Sequence, residues 1–136
     1  MPVKRVVSIL IPYKESNGAV LVFMQKRGMD MERAPGLFGF FGGGAEPGET
    51  PAQTLEREIK EELDFTPVGY KHYGTYNFPH SDVNVFTLKV GDDFEKDITV
   101  FEGEYGKFFS EKQILGTQDT ISTDQIILRD FFAETN

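Results

Sequence analysis

The chain has 136 residues, about one domain's worth, and its 39% hydrophobic content with 13 Phe and 5 Tyr supplies a core and excludes a disordered chain. Fourteen Lys and Arg against 22 Asp and Glu leave a net charge of −8, which excludes gripping a nucleic acid polymer through a basic surface. The absence of Cys removes disulfide scaffolds, thiolate metal sites and cysteine nucleophiles together.

The start, Met1-Pro-Val-Lys-Arg-Val-Val, offers only a short apolar stretch, Val6 to Pro12, before polar Lys14. It reads as neither signal peptide nor membrane span, so the cytoplasm is the expected compartment and no membrane partner is expected. Arg5 to Tyr13 and Ala19 to Met24 are strand-like runs separated by Glu15-Ser16-Asn17-Gly18, and Asn-Gly between such runs predicts an antiparallel hairpin. Residues 28–37 lack a period and read as a loop. Between Phe38 and Glu49 stand five glycines, Gly39, Gly42, Gly43, Gly44 and Gly48, a density that marks close backbone approach.

A helix is predicted from about Pro51 to Leu63. Thr50 is its N-cap, Gln53 completes a capping-box spacing, and Pro51 takes the first helical position, where a missing N–H is harmless. Ala52, Leu55, Ile59 and Leu63 fall within an arc of about 80° and form one core-facing stripe. Beyond it, Val68 to Phe78 and Val83 to Val90 read as strands, residues 91–97 as an acidic turn, and Ile98 to Phe101 and Gly106 to Phe109 as extended. Ser110 is expected to cap a short helix through Leu115, and Ser122 or Thr123 a terminal one reaching Phe132. The sum is one mixed α/β domain over residues 1–136, with some antiparallel pairing.

The helix carries Glu56, Glu58, Glu61 and Glu62. Glu58 repels Glu61 and Glu62 by roughly 0.2–0.5 kcal/mol per pair. Glu62 and Glu58 lie about 80° and 120° around the helix from Ala52, at the edge of the core. Carboxylates so placed suit a hard dication that keeps waters for a phosphate-bearing ligand. The plainer alternative is a solvated face, supported by the opposite-charge pairs Glu56–Lys60 and Arg57–Glu61. Gly43 and Gly48 followed by Glu49-Thr50 mimic a phosphate-cradling loop, but Glu49 replaces the lysine that loop requires. Glycines leading into a glutamate-rich helix suit a cation.

From Gly43 to Phe65 the chain reads Gly43, five residues, Glu49, seven residues, Arg57-Glu58-Ile59, Lys60, Glu61-Glu62, Leu63, Asp64, Phe65. This resembles the Nudix box, G-x5-E-x7-R-E-U-x-E-E-x-G-U, with every charged position matched. Asp64 replaces the last Gly, a left-handed helix-ending position that Asp tolerates better than most residues. Phe41 and Phe38 stand where many members carry Pro and Trp.

The resemblance implies an α/β/α sandwich around a mixed central sheet. It also implies hydrolysis of a pyrophosphate bond in a nucleoside diphosphate linked to another moiety, using Mg²⁺ or Mn²⁺. A noncanonical or oxidised nucleoside triphosphate is one such substrate, and a non-catalytic nucleotide-sensing domain is the alternative. By position, Glu58 and Glu62 would be principal metal ligands, Glu61 a further ligand or water-orienting group, and the Gly43 carbonyl another ligand. Arg57 and Glu49 would brace the box. Some members add an acid from a later segment; Glu102 and Glu104 are the candidates, with Glu104 placed in the expected metal set. Arg27 is expected to meet substrate phosphates and Phe38 to stack on the substrate. His72 and His80 are left out of the site. The expected partner is a small nucleotide, and homodimers are frequent among similar proteins.

Overall fold

A computed structural model describes residues 4–135; Met1 to Val3, the start of the opening segment, lie outside the described residues. The elements in chain order are β1 (Arg5–Ser16), β2 (Ala19–Lys26), β3 (Phe38–Gly39), β4 (Phe41–Gly44) and α1 (Pro51–Leu63), followed by β5 (Lys71–Asn77) and β6 (Ser81–Lys89). Then come α2 (Phe94–Asp97), β7 (Tyr105–Ser110), α3 (Glu111–Leu115) and α4 (Ser122–Thr135).

The predicted hairpin forms. β1 and β2 pair antiparallel out to Ser16 opposite Ala19, leaving Asn17 and Gly18, both at positive φ, as the two-residue turn whose twist matches the strands. Residues 28–37 form the expected loop. The seven strands join in the order β3-β2-β1-β6-β5, with β4 also on β1 and β7 also on β2. β1 and β6 run parallel, while β1–β2, β1–β4, β2–β3, β2–β7 and β5–β6 are antiparallel. The sheet is therefore mixed, as expected.

Period-two alternation divides the core. Val7, Ile9 and Ile11 of β1 pack with Val22 and Met24 of β2 and with Ile127, Leu128, Phe131 and Phe132 of α4. Leu10, Phe23 and Phe41 go to the other side, against Leu55, Ile59 and Leu63 of α1. Helices thus cover both faces of the sheet, the α/β/α arrangement.

α1 keeps its expected bounds because its start and stop are both locally encoded. The Thr50 hydroxyl accepts from the Gln53 N–H at 3.2 Å and the Gln53 side chain accepts from the Thr50 N–H at 2.9 Å, and Asp64 ends the helix in the left-handed conformation at φ 49°. Ser110 caps α3 through the same reciprocal bonds with Gln113.

Two expectations are corrected. The acidic turn at 91–97 contains a one-turn helix, α2, because Phe94 buries itself against Phe23 and Phe65. Residues 98–101, read as extended, start extended at Ile98 and join no sheet ladder; the Thr99 and Phe101 N–H groups donate to the carbonyls of Leu63 and Glu62, which α1 leaves without helical partners. α4 begins at Ser122 itself and runs past Phe132 to Thr135. No helix among the described residues is long and apolar enough to cross a membrane.

Ile59 is fully buried between α1 and the sheet. Ile59→Ala is expected to cost about 2–5 kcal/mol, read as a lower urea midpoint; an unchanged midpoint would contradict this packing.

Candidate functional site

The site begins at the junction of β4 with α1. β4 lies on β1, with Gly42 opposite Ile9 and Gly43 opposite Ser8. α1 is tied to the same strand by the Ser8 hydroxyl, which donates to the Pro51 carbonyl at 2.9 Å. A Cβ at Gly43 would stand only 2.5 Å from the Glu58 carboxyl carbon. A side chain at the motif's first glycine would therefore have to move the Glu58 carboxylate from where Arg57 holds it.

Arg57 organises the exposed flank of this junction. Its Nε and Nη2 donate to the two carboxylate oxygens of Glu49 at 2.7 and 3.0 Å, and Nη2 also donates to the Gly44 carbonyl at 3.0 Å. Nη1 donates to Glu58 at 2.9 Å and to Glu61 at 3.4 Å. The paired fork is the strong geometry for Arg and carboxylate. Glu49 accepts further bonds from the Glu46 N–H and the Thr54 hydroxyl, and the Arg57 bonds above all hold its carboxyl down to about 2. The same pairing raises the Arg57 guanidinium.

Glu62 behaves in the opposite way. It is 4% exposed, and its Oε1 accepts from the Gly42 N–H at 2.8 Å. Burial first, and then contact with the Glu102 carboxyl, push it up to about 10, so Glu62 holds a proton at neutral pH. Burial also raises Glu58, against the pull of Arg57. Glu61 is 58% exposed.

Glu102 arrives here because the Phe101 N–H is bonded to the Glu62 carbonyl, which sets the next side chain beside Glu62. Gly103 then turns the chain at φ 87°, where a Cβ would meet the Lys26 carbonyl at 2.7 Å. Glu104 follows with its N–H on that carbonyl, and both Glu102 and Glu104 border a hollow with Gly28, Asp30 and Met31. The structure therefore joins Glu102, and not Glu104, to Glu62.

Glu58, Glu61 and Glu62 do not close on one point. Among the described residues no three Asp, Glu or His side chains form a ready-made cation cage, because Arg57 draws Glu58 and Glu61 while Gly42 and Glu102 take Glu62. The donor chemistry nevertheless fits a hard divalent cation. Two acids pressed together at Glu62 and Glu102 demand positive charge, here answered by a proton, and carboxylate and carbonyl oxygens are the ligands such ions take.

On the other side of Gly42 and Gly43 opens a cleft lined by Arg5, Arg27, Arg33, Phe40 and Asp124. Arg27, selected from the sequence, lines this cleft together with Gly42 and Gly43. Phe38 sits against Phe109, ring centroids 5.1 Å apart, under the Lys26 ammonium, and Phe40 lines the cleft wall. Asp124 accepts from the Phe40 N–H at 3.2 Å, and desolvation lifts it to about 7. Sequence reasoning missed Arg5, Arg33 and Asp124, whose only signal is a register that brings β1, the 28–37 loop and α4 together.

The family model described as NUDIX domain matches residues 3–130 of the chain. A nucleoside triphosphatase, NudI, from Enterobacter sp. (strain 638) is 45% identical over 56 residues, a match spanning 41% of this chain and 38% of that protein. Among solved structures, a Deinococcus radiodurans protein superposes with a TM-score of 0.78 at 14% identity, covering 93% of this chain and 82% of that one. The NUDIX domain of Shewanella oneidensis NrtR, in complex with ADP ribose, superposes with a TM-score of 0.76 at 15% identity, covering 99% and 90%. These two likenesses are likenesses of fold.

The depressed Glu49 carboxyl fixes a pH dependence. Because its folded value of about 2 lies below the ordinary 4.5, the stabilisation is complete above the ordinary value and is lost as pH falls toward 2. Glu49→Gln is therefore expected to lower Tm at pH 7 and to converge on the parent as pH drops below about 4; a deficit that stays constant with pH would contradict the ion-pair account.

Proposed function

The chain belongs to the NUDIX domain family, and from that premise we propose that it is a divalent-metal-dependent pyrophosphohydrolase. Its substrate is a nucleoside diphosphate linked to another group, with a nucleoside triphosphate, canonical or oxidised, as the first class to test. The observation that carries this reading is the buried Glu62 carboxyl, bonded to the Gly42 N–H and pressed on Glu102, with Gly42 itself also lining the arginine cleft. The short but 45% identical match to a nucleoside triphosphatase supports the choice of substrate class.

Glu58 and Glu62, with the Gly43 carbonyl, would hold Mg²⁺ or Mn²⁺, which when bound neutralises the diphosphate and makes a water more acidic. Glu102 replaces Glu104 as the supplementary acid, since its carboxyl already lies against Glu62 and raises it. Glu61 is free at the rim to orient water, restrained only by the long bonds from Arg57. Arg57 and Glu49 hold β4 and α1 in register and do not touch the substrate. Arg27, beside Gly42 and Gly43, binds its phosphates.

Two measurements test this. Incubation with nucleoside triphosphates, nucleotide sugars, dinucleoside polyphosphates and ADP-ribose, with Mg²⁺ or Mn²⁺, is expected to release phosphorylated products from at least one class; binding without release would leave a nucleotide sensor. Glu62→Gln is expected to lower turnover by about 10²–10⁴-fold while the Tm stays the same or rises, since an amide needs no proton in that buried place. Equal turnover by variant and parent would remove Glu62 from the machinery.

A further inference from the structure

Gln25 is a buried polar residue at the end of an apolar run. Val20, Val22, Phe23 and Met24 on the same strand are core residues, and Gln25 itself is only 1% exposed. The residues directly opposite it in the sheet are both glycines, Gly39 on β3 and Gly106 on β7, so no side chain stands directly across from its own. A buried amide must then find its partners elsewhere. Gln25 finds both of them in the candidate site.

The Gln25 Nε2 donates to the Glu102 carbonyl at 3.0 Å, and the Gln25 Oε1 accepts from the Arg27 Nη1 at 3.3 Å. A guanidinium only donates and a carbonyl oxygen only accepts, so these two partners allow the amide one orientation. Arg27 is itself held, with its Nε on the Arg33 carbonyl. The amide is thus anchored through its oxygen and presents its N–H to the segment that carries Glu102.

Residues 101–104 lie in no strand or helix, and discrete bonds replace a ladder. The Phe101 N–H on the Glu62 carbonyl fixes the chain before Glu102, the Gln25 amide fixes the peptide after it, and the Glu104 N–H on the Lys26 carbonyl closes the turn. Gly103, at φ 87°, lets the segment settle onto Gln25: a Cβ there would stand 2.9 Å from the Gln25 Cγ and 3.1 Å from its Nε2. A side chain leaves its Cα in a direction set by the main chain on either side. The Phe101 and Gln25 bonds together therefore aim the Glu102 side chain.

We propose that Gln25 is a positioning residue that, through the main chain of Glu102, holds the Glu102 carboxyl against Glu62 and so completes the cation site without touching the ion. The proposal rests on the reading of Glu58, Glu62 and Glu102 as that site. It adds that a buried amide on β2 sets where the third acid stands.

Mn²⁺ uptake, followed by the free-ion electron paramagnetic resonance signal, reads the site without turnover. Gln25→Met keeps an unbranched side chain of similar length and removes both bonds. It is expected to weaken Mn²⁺ binding about tenfold, the effect of losing a partner that orients a ligand, and Glu102→Gln is expected to do the same. The double variant is expected to bind no more weakly than either single one, because both changes remove one shared contribution, while the Tm deficit of Gln25→Met is the same in both backgrounds. Gln25→Asn, which keeps an amide but falls one methylene short of the Glu102 carbonyl, is the second variant. It is expected to bind as weakly as Gln25→Met while keeping the parent's circular dichroism spectrum. Parent-like binding by both Gln25 variants, or losses that multiply in the double variant, would leave Gln25 a merely structural residue and overturn the proposal. No uptake by the parent would overturn the cation reading, and the proposal with it.

Discussion

The hydrogen bond from the Gly42 N–H to Glu62 is the constraint on which the site depends. It requires α1 to lie with its acidic edge, and not only its apolar stripe, against β4, and it buries a carboxyl that water would otherwise hold. Burial without a counter-charge is costly, so the acid keeps its proton, with the Glu102 carboxyl beside it favouring the same state. Gly42 itself has no room for a side chain, because a Cβ there would run into the Ser8 and Ile9 backbone, and one at Gly43 would push the Glu58 carboxylate aside. A substitution at any of these positions therefore disturbs backbone and charge at once.

Arg57 performs the complementary task on the outside. By taking Glu49 as a fork and the Gly44 carbonyl as a third partner, it fixes the loop before α1 to the strand before that loop. It also bonds to Glu58 and, at 3.4 Å, to Glu61. The like charges on one helical turn are thus divided into two groups, one neutralised by a guanidinium and one by a proton. A divalent ion arriving at the junction would find oxygen ligands already desolvated and need only displace these two partners.

Local chemistry was legible in the sequence, and long-range contact was not. Thr50, Pro51 and Gln53 specify where α1 starts and Asp64 where it stops, so its bounds could be read without coordinates. Asn17-Gly18 specified the hairpin for the same reason. Glu102 was visible only as one of two acids two residues apart; what separates it from Glu104 is the bond between the Phe101 N–H and the Glu62 carbonyl, which joins segments about 40 residues apart. Residues 98–101 have strand-like composition but spend their N–H groups on a helix end, and α2 forms because Phe94 finds a buried aromatic neighbourhood. Arg5, Arg33 and Asp124 carry no spacing signal at all, since sheet register alone brings them to one cleft.

The central claim is that the buried edge of α1 is a divalent-cation site, and titration of the protein with Mn²⁺, followed by the loss of the free-ion electron paramagnetic resonance signal, tests it most directly. The account predicts saturable binding by the parent and its loss in a Glu58→Gln, Glu62→Gln double variant that keeps the parent's circular dichroism spectrum. Equal Mn²⁺ uptake by the two proteins, or none by the parent, would contradict it.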